Sequence, residues 1–347
     1  MTAHTDITVV ISTYNRCESL PCAIESVLDQ EAGGTAYELI VVDNNSTDNT
    51  SQVVQSFIDR GHANFRCVSE PRQGLSYGRN AGIANAQGEI IVFTDDDIRA
   101  ERNWVANIKK AFDTYPDVQC VAGKILPNWE SEPPSWLTCD HWAPLALQDH
   151  GDAPLRANKT KPRSFAGANI AFRREVFQNE LFSPLFPRAQ DTEFLLRFWR
   201  AGREAMYVPD VIVFADVQPE RLTKVYHRKW HTRNGNFNAL MRLGEYVGAD
   251  GQILDEMPVA EKLFEVPLYI YRELLDACGE WLRAAVRRSE SLSFKHENRI
   301  RFLLGYISHR YQNEFASQDR SRPREMARVA NAMLRKVSSR VSKRDRS

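Results

Sequence analysis

The chain carries no net charge: its 347 residues include 45 Lys and Arg against 45 Asp and Glu. A protein held on nucleic acid normally shows a basic surplus, so no nucleic-acid partner is expected. No apolar run reaches the roughly 18 residues that a membrane-spanning helix requires. No basic segment followed by a longer apolar stretch stands at the start, where the chain runs directly into residues 7–12, so no secretory leader is expected. Cysteine is sparse. The six present, Cys17, Cys22, Cys67, Cys120, Cys139 and Cys278, form no C-x-x-C pair and have no histidines at zinc spacing. That excludes a zinc ribbon or a thioredoxin-type motif and fits single thiols in a reducing compartment. No G-x-G-x-x-G follows the first apolar run, which excludes the usual nicotinamide dinucleotide site. These absences together point to a cytoplasmic protein whose membrane contact is at most peripheral.

What is present suits a folded domain. With 43% hydrophobic and 26% charged residues, the chain can bury one large core, or one core plus a smaller appendage. Runs at 7–12, 39–43, 65–69, 90–94 and 118–125 are near-continuously apolar, as buried parallel strands are. Between them, 18–30, 49–59, 75–86 and 103–112 have helical apolar spacing, and Ser46 and Asp48 are placed to cap the second helix. Such alternation predicts an α/β fold with a mostly parallel sheet flanked by helices. Residues 127–163 break the pattern with prolines and with Trp129, Trp136 and Trp142, which reads as a long ordered loop. A strand at 165–173, a helix at 192–201 ended by Gly202, and strands at 205–208 and 211–215 complete the sheet. Helical spacing returns at 263–285 and 300–315. The expected division is an α/β domain over 1–220 and a helical C-terminal region over 221–347.

In open sheets of this kind, ligands bind beyond the carboxyl ends of the strands. Four polar segments should meet there: Thr13-Tyr14-Asn15-Arg16, Asp43-Asn44-Asn45-Ser46, Asp95-Asp96-Asp97 and Gln190-Asp191-Thr192-Glu193. Three adjacent carboxylates after a buried strand repel one another unless a cation neutralises them. Mg²⁺ or Mn²⁺, hard ions that share their shell with phosphates, are the natural partners. Asp191, at a helix start, reads either as a cap or as a general base.

Five ordered segments resemble the inverting glycosyltransferases of family 2, which have the GT-A fold. They are Val9-Val10-Ile11-Ser12-Thr13-Tyr14-Asn15-Arg16, Ile40-Val41-Val42-Asp43-Asn44-Asn45-Ser46-Thr47-Asp48, the stretch 74–97 ending in the D-x-D pattern, Phe165-Ala166-Gly167-Ala168-Asn169-Ile170, and Asp191-Thr192-Glu193-Phe194. The resemblance spans about residues 6–222. It implies that Thr13, Tyr14, Asn15 and Arg16 line a nucleotide site, that Asp43 reads the base edge, and that Arg79 reaches the base or diphosphate. Asp95 would touch the ribose or the metal, and Asp97 would ligate the metal. Asp96 would belong to the same nucleotide-sugar site, as an alternative ligand. Asp191 would deprotonate the acceptor hydroxyl for in-line attack at the anomeric carbon. The implied reaction moves a sugar from a nucleoside diphosphate, most often uridine, onto a saccharide or lipid-linked glycan. Asn169 and the faces of Trp129, Trp136 and Trp142 stand on the acceptor side.

The chain departs from the family pattern in places. Gln190 replaces a usual glutamate, the stretch 183–191 is short, and Ala215-Asp216 stands where a histidine is common. Asp216, His227 or His231 are the available substitutes. A sugar-nucleotide pyrophosphorylase would need a glycine-rich loop where Ser12-Thr13-Tyr14-Asn15 stands. A nucleotide- or glycan-binding scaffold without turnover draws only on the altered Gln190 and Ala215-Asp216. Residues 321–347 hold nine Lys and Arg and two Asp and Glu, a net of +7 that leaves −7 on the rest. Within that tail Met326, Val329, Ala330, Met333, Leu334, Val337 and Val341 share one helical face, with Arg324, Arg328 and Arg335 opposite and Lys336 and Arg340 at an edge. Such a helix suits an anionic membrane surface, or docking on the helical region or a second subunit.

Overall fold

The computed structural model describes residues 4–186, 188–248, 252–256 and 261–315. The expected amphipathic tail helix, Met326 to Val341, lies outside the described residues. The first half alternates strand and helix: β1 Ile7–Thr13, α1 Leu20–Leu28, β2 Tyr37–Asp43, α2 Thr50–Asp59, β3 Phe65–Ser69, α3 Leu75–Asn85 and β4 Ile90–Thr94. Then come β5 Ile98–Ala100, α4 Trp104–Thr114, β6 Cys120–Trp129, β7 Leu155–Ala157, β8 Ile170–Arg173, α5 Gln190–Arg200 and β9 Ala205–Val217. Helices α6 Lys224–Met241, α7 Leu268–Val286 and α8 Glu290–Arg310 follow.

The nine strands form one mixed sheet in the order β3-β2-β1-β4-β8-β6-β9-β5, with β7 also on β9. Six of them run in one direction, while β5, β7 and β8 oppose them. Both faces of β1 are buried, which is why apolar residues run together at Val9, Val10 and Ile11 rather than alternating with polar ones. Ile7, Val9 and Ile11 enter one core with Leu20, Ile24 and Trp104, whereas Val10 enters the other with Ile91, Phe93, Phe172 and Phe194. The second core is aromatic, with the Phe182 and Phe194 rings stacked at 4.6 Å and Phe93 edge-on to Phe182 at 5.2 Å. Helix α3 closes on β1 through glycines. A Cβ at Gly78 would lie 2.0 Å from Ser12 Oγ, and one at Gly82 would lie 2.3 Å from Val10 Cγ1.

Several expected boundaries move, each for a long-range reason. The strand expected at 165–173 begins only at Ile170, because Ala166 and Gly167 give their N–H groups to Gln148 and Asp191 instead of a ladder. Strand β6 continues past the expected break at Pro127, because there it pairs with β9 alone (Pro127 opposite Ala215) and one ladder edge tolerates a missing donor. The two short strands expected at 205–208 and 211–215 are one strand with a bulge opposite Gly123. A Cβ at Gly123 would lie 1.9 Å from the Val211 carbonyl oxygen, so the close approach requires glycine. Ser46 does not cap α2. Its hydroxyl accepts the Asn15 N–H at 3.1 Å, while Asp48 accepts the Thr50 N–H at 2.9 Å.

The C-terminal helices pack around a third core that includes Ala239, Leu303 and Tyr306. Helix α6 crosses α8 on small residues: a Cβ at Gly235 would lie 2.0 Å from the Phe302 carbonyl oxygen, and one at Gly305 would lie 2.3 Å from that of Thr232. No described helix is long and apolar enough to cross a membrane.

Candidate active site

The parallel register carries Thr13 level with Asp43, and Ile11 level with Thr94, so the segments that follow β1, β2 and β4 emerge on one edge. Two asparagines set their shape. Asn15 adopts left-handed backbone (φ 52°), which asparagine tolerates better than most residues. Its side-chain oxygen accepts the Thr47 N–H at 2.7 Å and its amide donates to Thr47 Oγ1 at 3.2 Å. Asn15 thus joins the loops after β1 and β2. Buried Asn44 donates to the Glu70 and Arg72 carbonyls and accepts the Gly74 N–H at 2.7 Å, which fixes the entry to α3. Tyr14 is exposed at the rim, and Asp43 accepts the Ser46 N–H at 3.0 Å.

Arg79 comes up from α3 beneath this edge and is 3% exposed, a buried cation. Its guanidinium lies 5.6 and 5.3 Å from the Phe93 and Phe182 rings. Nη2 donates to the Gly167 carbonyl at 3.2 Å and lies 3.5 Å from Asp95. Nη1 is buried with no hydrogen-bond partner among the described residues. An unsatisfied buried donor is costly, which sets this group apart from a cation held only for structure.

The three aspartates divide between two sides. Asp95 faces Arg79, and Asp97 lies 3.8 Å from Arg221. Desolvation pushes Asp95 up to about 6; Arg79 and Arg221 oppose that rise, while Asp97 and Asp191 add to it. Asp96 lies toward Thr13 and Arg16, 3.8 Å from the latter. Burial raises it to about 7, against the Thr13 hydroxyl and Arg16. The site therefore holds more negative charge than its arginines balance. Among the described residues no group of three or more His, Cys, Asp or Glu converges to hold an ion by itself. The aspartates fit a hard divalent ion that takes its remaining ligands from a diphosphate.

Asp191 stands in the first turn of α5, whose entry is set by Ala189 in left-handed backbone (φ 56°). Its carboxylate accepts the Thr192 N–H at 2.8 Å and the Gly167 N–H at 3.2 Å, and it contributes to the field at Asp95. Gly167 thus gives its carbonyl to Arg79 and its N–H to Asp191, so the turn before β8 joins the two charged groups. A Cβ there would lie 2.4 Å from Arg79 Nη2, so a side chain at this position would push the guanidinium away from the turn. Gln190 is buried below this turn.

Other expected site residues are engaged elsewhere. Asn169 is 1% exposed. It accepts the Trp104 indole N–H at 2.9 Å and donates to the Lys124 and Val211 carbonyls, which removes it from the acceptor side. Trp136 is buried edge-on against His227 at 5.1 Å and Phe294 at 4.7 Å, so it fastens the loop to the helices rather than facing an acceptor. Trp129 and Trp142 both pack partly buried on the first core, and Trp142 also lines an open cleft. Asp216 accepts from Asn128 at 2.6 Å and pairs with Arg99 at 3.4 Å. Fully buried His227 donates to the Arg221 carbonyl at 3.1 Å. Asp216 also gives its backbone N–H to the Asp97 carbonyl at 3.2 Å, which ties the end of β9 to the aspartate run.

Burial holds His227 down at about 4 and His231 down at about 3. The folded state then binds fewer protons than the unfolded state below the ordinary histidine value, so His227's contribution is full above pH 6.5 and is lost as pH falls towards 4. The urea-stability difference between wild type and His227→Asn should shrink by roughly 2 kcal/mol from pH 7.5 to pH 5. A constant difference would refute the buried neutral imidazole.

Sequence reasoning passed over Arg221, Gly167 and Phe182. Arg221 lies five residues beyond Asp216, past the position where the family pattern has its histidine. Gly167 and Phe182 give no local signal.

A mixed sheet of this topology flanked by helices is the fold of GT-A glycosyltransferases. The model of glycosyl transferase family 2 matches residues 8–181, and the chain belongs to that family. It is 28% identical over 173 residues to the glucosyl-dolichyl phosphate glucuronosyltransferase of Haloferax volcanii, covering 49% of this chain and 53% of that protein. It is 35% identical over 92 residues to the Campylobacter jejuni GalNAc(5)-diNAcBac-PP-undecaprenol beta-1,3-glucosyltransferase, covering 26% of this chain and 29% of that one. These matches span about half or less of each relative's length. Among solved structures, the mannosyltransferase PcManGT from Pyrobaculum calidifontis, in complex with GDP-Man and Mn²⁺, superposes with a TM-score of 0.59 at 18% identity, covering 90% of this chain and 89% of that one. TarS 1-349 of S. aureus gives 0.51 at 16% identity, covering 88% and 91%.

Proposed function

We propose that the protein is an inverting glycosyltransferase that moves a sugar from a nucleoside diphosphate, UDP above others, onto a hydroxyl of a saccharide or lipid-linked glycan. The observation that carries this reading is the single turn at Gly167, which holds buried Arg79 beside Asp95 on one side and Asp191 on the other. The solved relatives support the donor class, since one binds GDP-Man with Mn²⁺ and another binds UDP-GlcNAc.

Thr13, Tyr14, Arg16 and Asp43 receive the nucleoside at the strand ends, and the unpartnered Nη1 of Arg79 reaches the diphosphate. Asp95 and Asp97 hold a Mg²⁺ or Mn²⁺, which when bound draws charge from the departing diphosphate. Asp191 takes the proton of the acceptor hydroxyl at its carboxylate, and the oxygen attacks the anomeric carbon from the face opposite the diphosphate. One attack by one activated hydroxyl inverts the configuration. The Gly167 and Thr192 N–H bonds hold the Asp191 carboxylate in place for that step.

The direct test is a thermal-shift panel of UDP-, GDP- and dTDP-sugars with Mn²⁺, because a donor held at micromolar affinity and present at 100-fold excess stabilises by about 2.7 kcal/mol. The stabilising donor is then turned over with acceptors, and the product's anomeric configuration is read by NMR. If no sugar nucleotide stabilises the chain, or the product retains configuration, the assignment fails.

A further inference from the structure

A cleft of about 760 Å³ opens beside Asp191, and α6 forms one wall of it. The helix turns Tyr226, Lys229, Trp230, Arg233, Asn234 and Phe237 into the cleft. These positions recur at i, i+3, i+4, i+7, i+8 and i+11, a single helical face. They extend about 16 Å along the axis at 1.5 Å per residue. Helix α6 meets α8 through Thr232 and Gly235 on its other side, and on the cleft face Tyr226 is tied down by its hydroxyl, which donates to the Pro144 carbonyl at 3.1 Å, and by packing on the first core.

The charge balance in the cleft is uneven. Lys229 and Arg233 are exposed, as is Arg188 from the opposite wall, and among the described residues none of the three has an ion-pair partner. The carboxylates nearby are already engaged: Asp140 lies 2.9 Å from Lys295, while Asp149 lies 3.6 Å from Lys124 and accepts the Tyr207 hydroxyl. Asp191 is the one lining carboxylate with no cation partner. Unpaired cations that alternate with aromatic faces match a ligand with apolar ring surfaces and negative substituents.

We propose that this cleft receives the acceptor, and that the acceptor is an anionic saccharide. Its sugar rings lie on Trp230 and Tyr226, and its phosphate or uronate carboxylate is held by Lys229 and Arg233, with one hydroxyl at Asp191. The inference deepens the transferase reading and rests on it. It makes the α6 stripe the feature that selects the acceptor, separate from the donor site under β1 and β4.

Three forms of one oligosaccharide test it: neutral maltoheptaose, its 6-phosphate ester, and its form oxidised at C6 to uronate. Binding is followed by calorimetry and by tryptophan fluorescence, in the presence of UDP and Mn²⁺. At least one charged form should bind about five- to tenfold more tightly than the neutral form. The gap should narrow as ionic strength rises from about 0.05 to about 0.5 M. Preference between the two charged forms tells phosphate from carboxylate. The double variant Lys229→Gln/Arg233→Gln should lose the gap, yet keep the wild-type thermal shift with UDP and Mn²⁺, which also reports that it is folded. Equal affinity for all three forms, binding of none, or a gap that survives in the variant overturns the inference. Absence of any nucleotide-dependent shift in wild type, with charged saccharides still bound, would instead remove the transferase reading and leave the anion site.

Discussion

Asp191→Asn is expected to bind the sugar nucleotide as wild type does and to transfer its sugar roughly 10²–10⁴-fold more slowly. Asparagine keeps the shape and one acceptor oxygen, so a main-chain bond from Gly167 or Thr192 survives and α5 keeps its entry. What disappears is the carboxylate that lines the cleft and acts on Asp95. The helix offers a competing account, since a carboxylate in a first turn also stabilises the partial positive charge there, by typically 0.3–1 kcal/mol. That alternative predicts a lower melting temperature and parallel losses in donor affinity and rate. Measuring the donor Kd and single-turnover transfer on the same preparation separates the two. Parallel losses would return Asp191 to a structural role.

Asp97→Ala is expected to reduce transfer by at least about 10²–10³-fold, the usual cost of removing one charged stabiliser of a developing anion. It should also remove the Mn²⁺-dependent part of nucleotide binding. The fold should survive, because the Asp97 side chain has only Arg221 at 3.8 Å as a charged partner. Asp96→Asn is the matched control. Asp96 lies on the Thr13 and Arg16 side, whereas Asp95 and Asp97 share the influence of Arg221. Titration of Mn²⁺ against nucleotide affinity, in wild type and both variants, decides the matter. Full metal dependence in Asp97→Ala with its loss in Asp96→Asn would exchange the two assignments.

The strands and the carboxylate positions were legible because each depends on neighbours in sequence. A parallel strand covered on both faces is apolar along most of its length, as β1, β2 and β4 are apart from buried Thr8 and Glu38 and their polar C-terminal ends. Asp95, Asp96 and Asp97 follow a buried strand directly, so their place on the rim comes from chain continuity alone. Helix α6 was not legible as a separate element. Its packing face is glycine against backbone rather than a stripe of leucines, and hydrophobic periodicity does not register a glycine contact.

The aromatic and amide side chains show the same limit from another direction. Trp136 and Trp142 lie in one proline-rich segment and look alike in sequence. One is buried against His227 and Phe294, far along the chain, while the other lines the cleft. Asn169 sits inside a family-like motif, yet its partners Trp104, Lys124 and Val211 are supplied by three other elements.

The sequence by itself determined the strand–helix alternation, the acidic strand end and the carboxylate at the start of α5, because periodicity and local chemistry are written along the chain. Only the tertiary structure decided which polar groups are free. Arg79 keeps an unpartnered donor at the site, while Asn15, Asn169 and His227 spend theirs on joining loops and helices. That partition depends on which groups from distant segments arrive within about 3 Å, and no pattern in neighbouring residues carries that information.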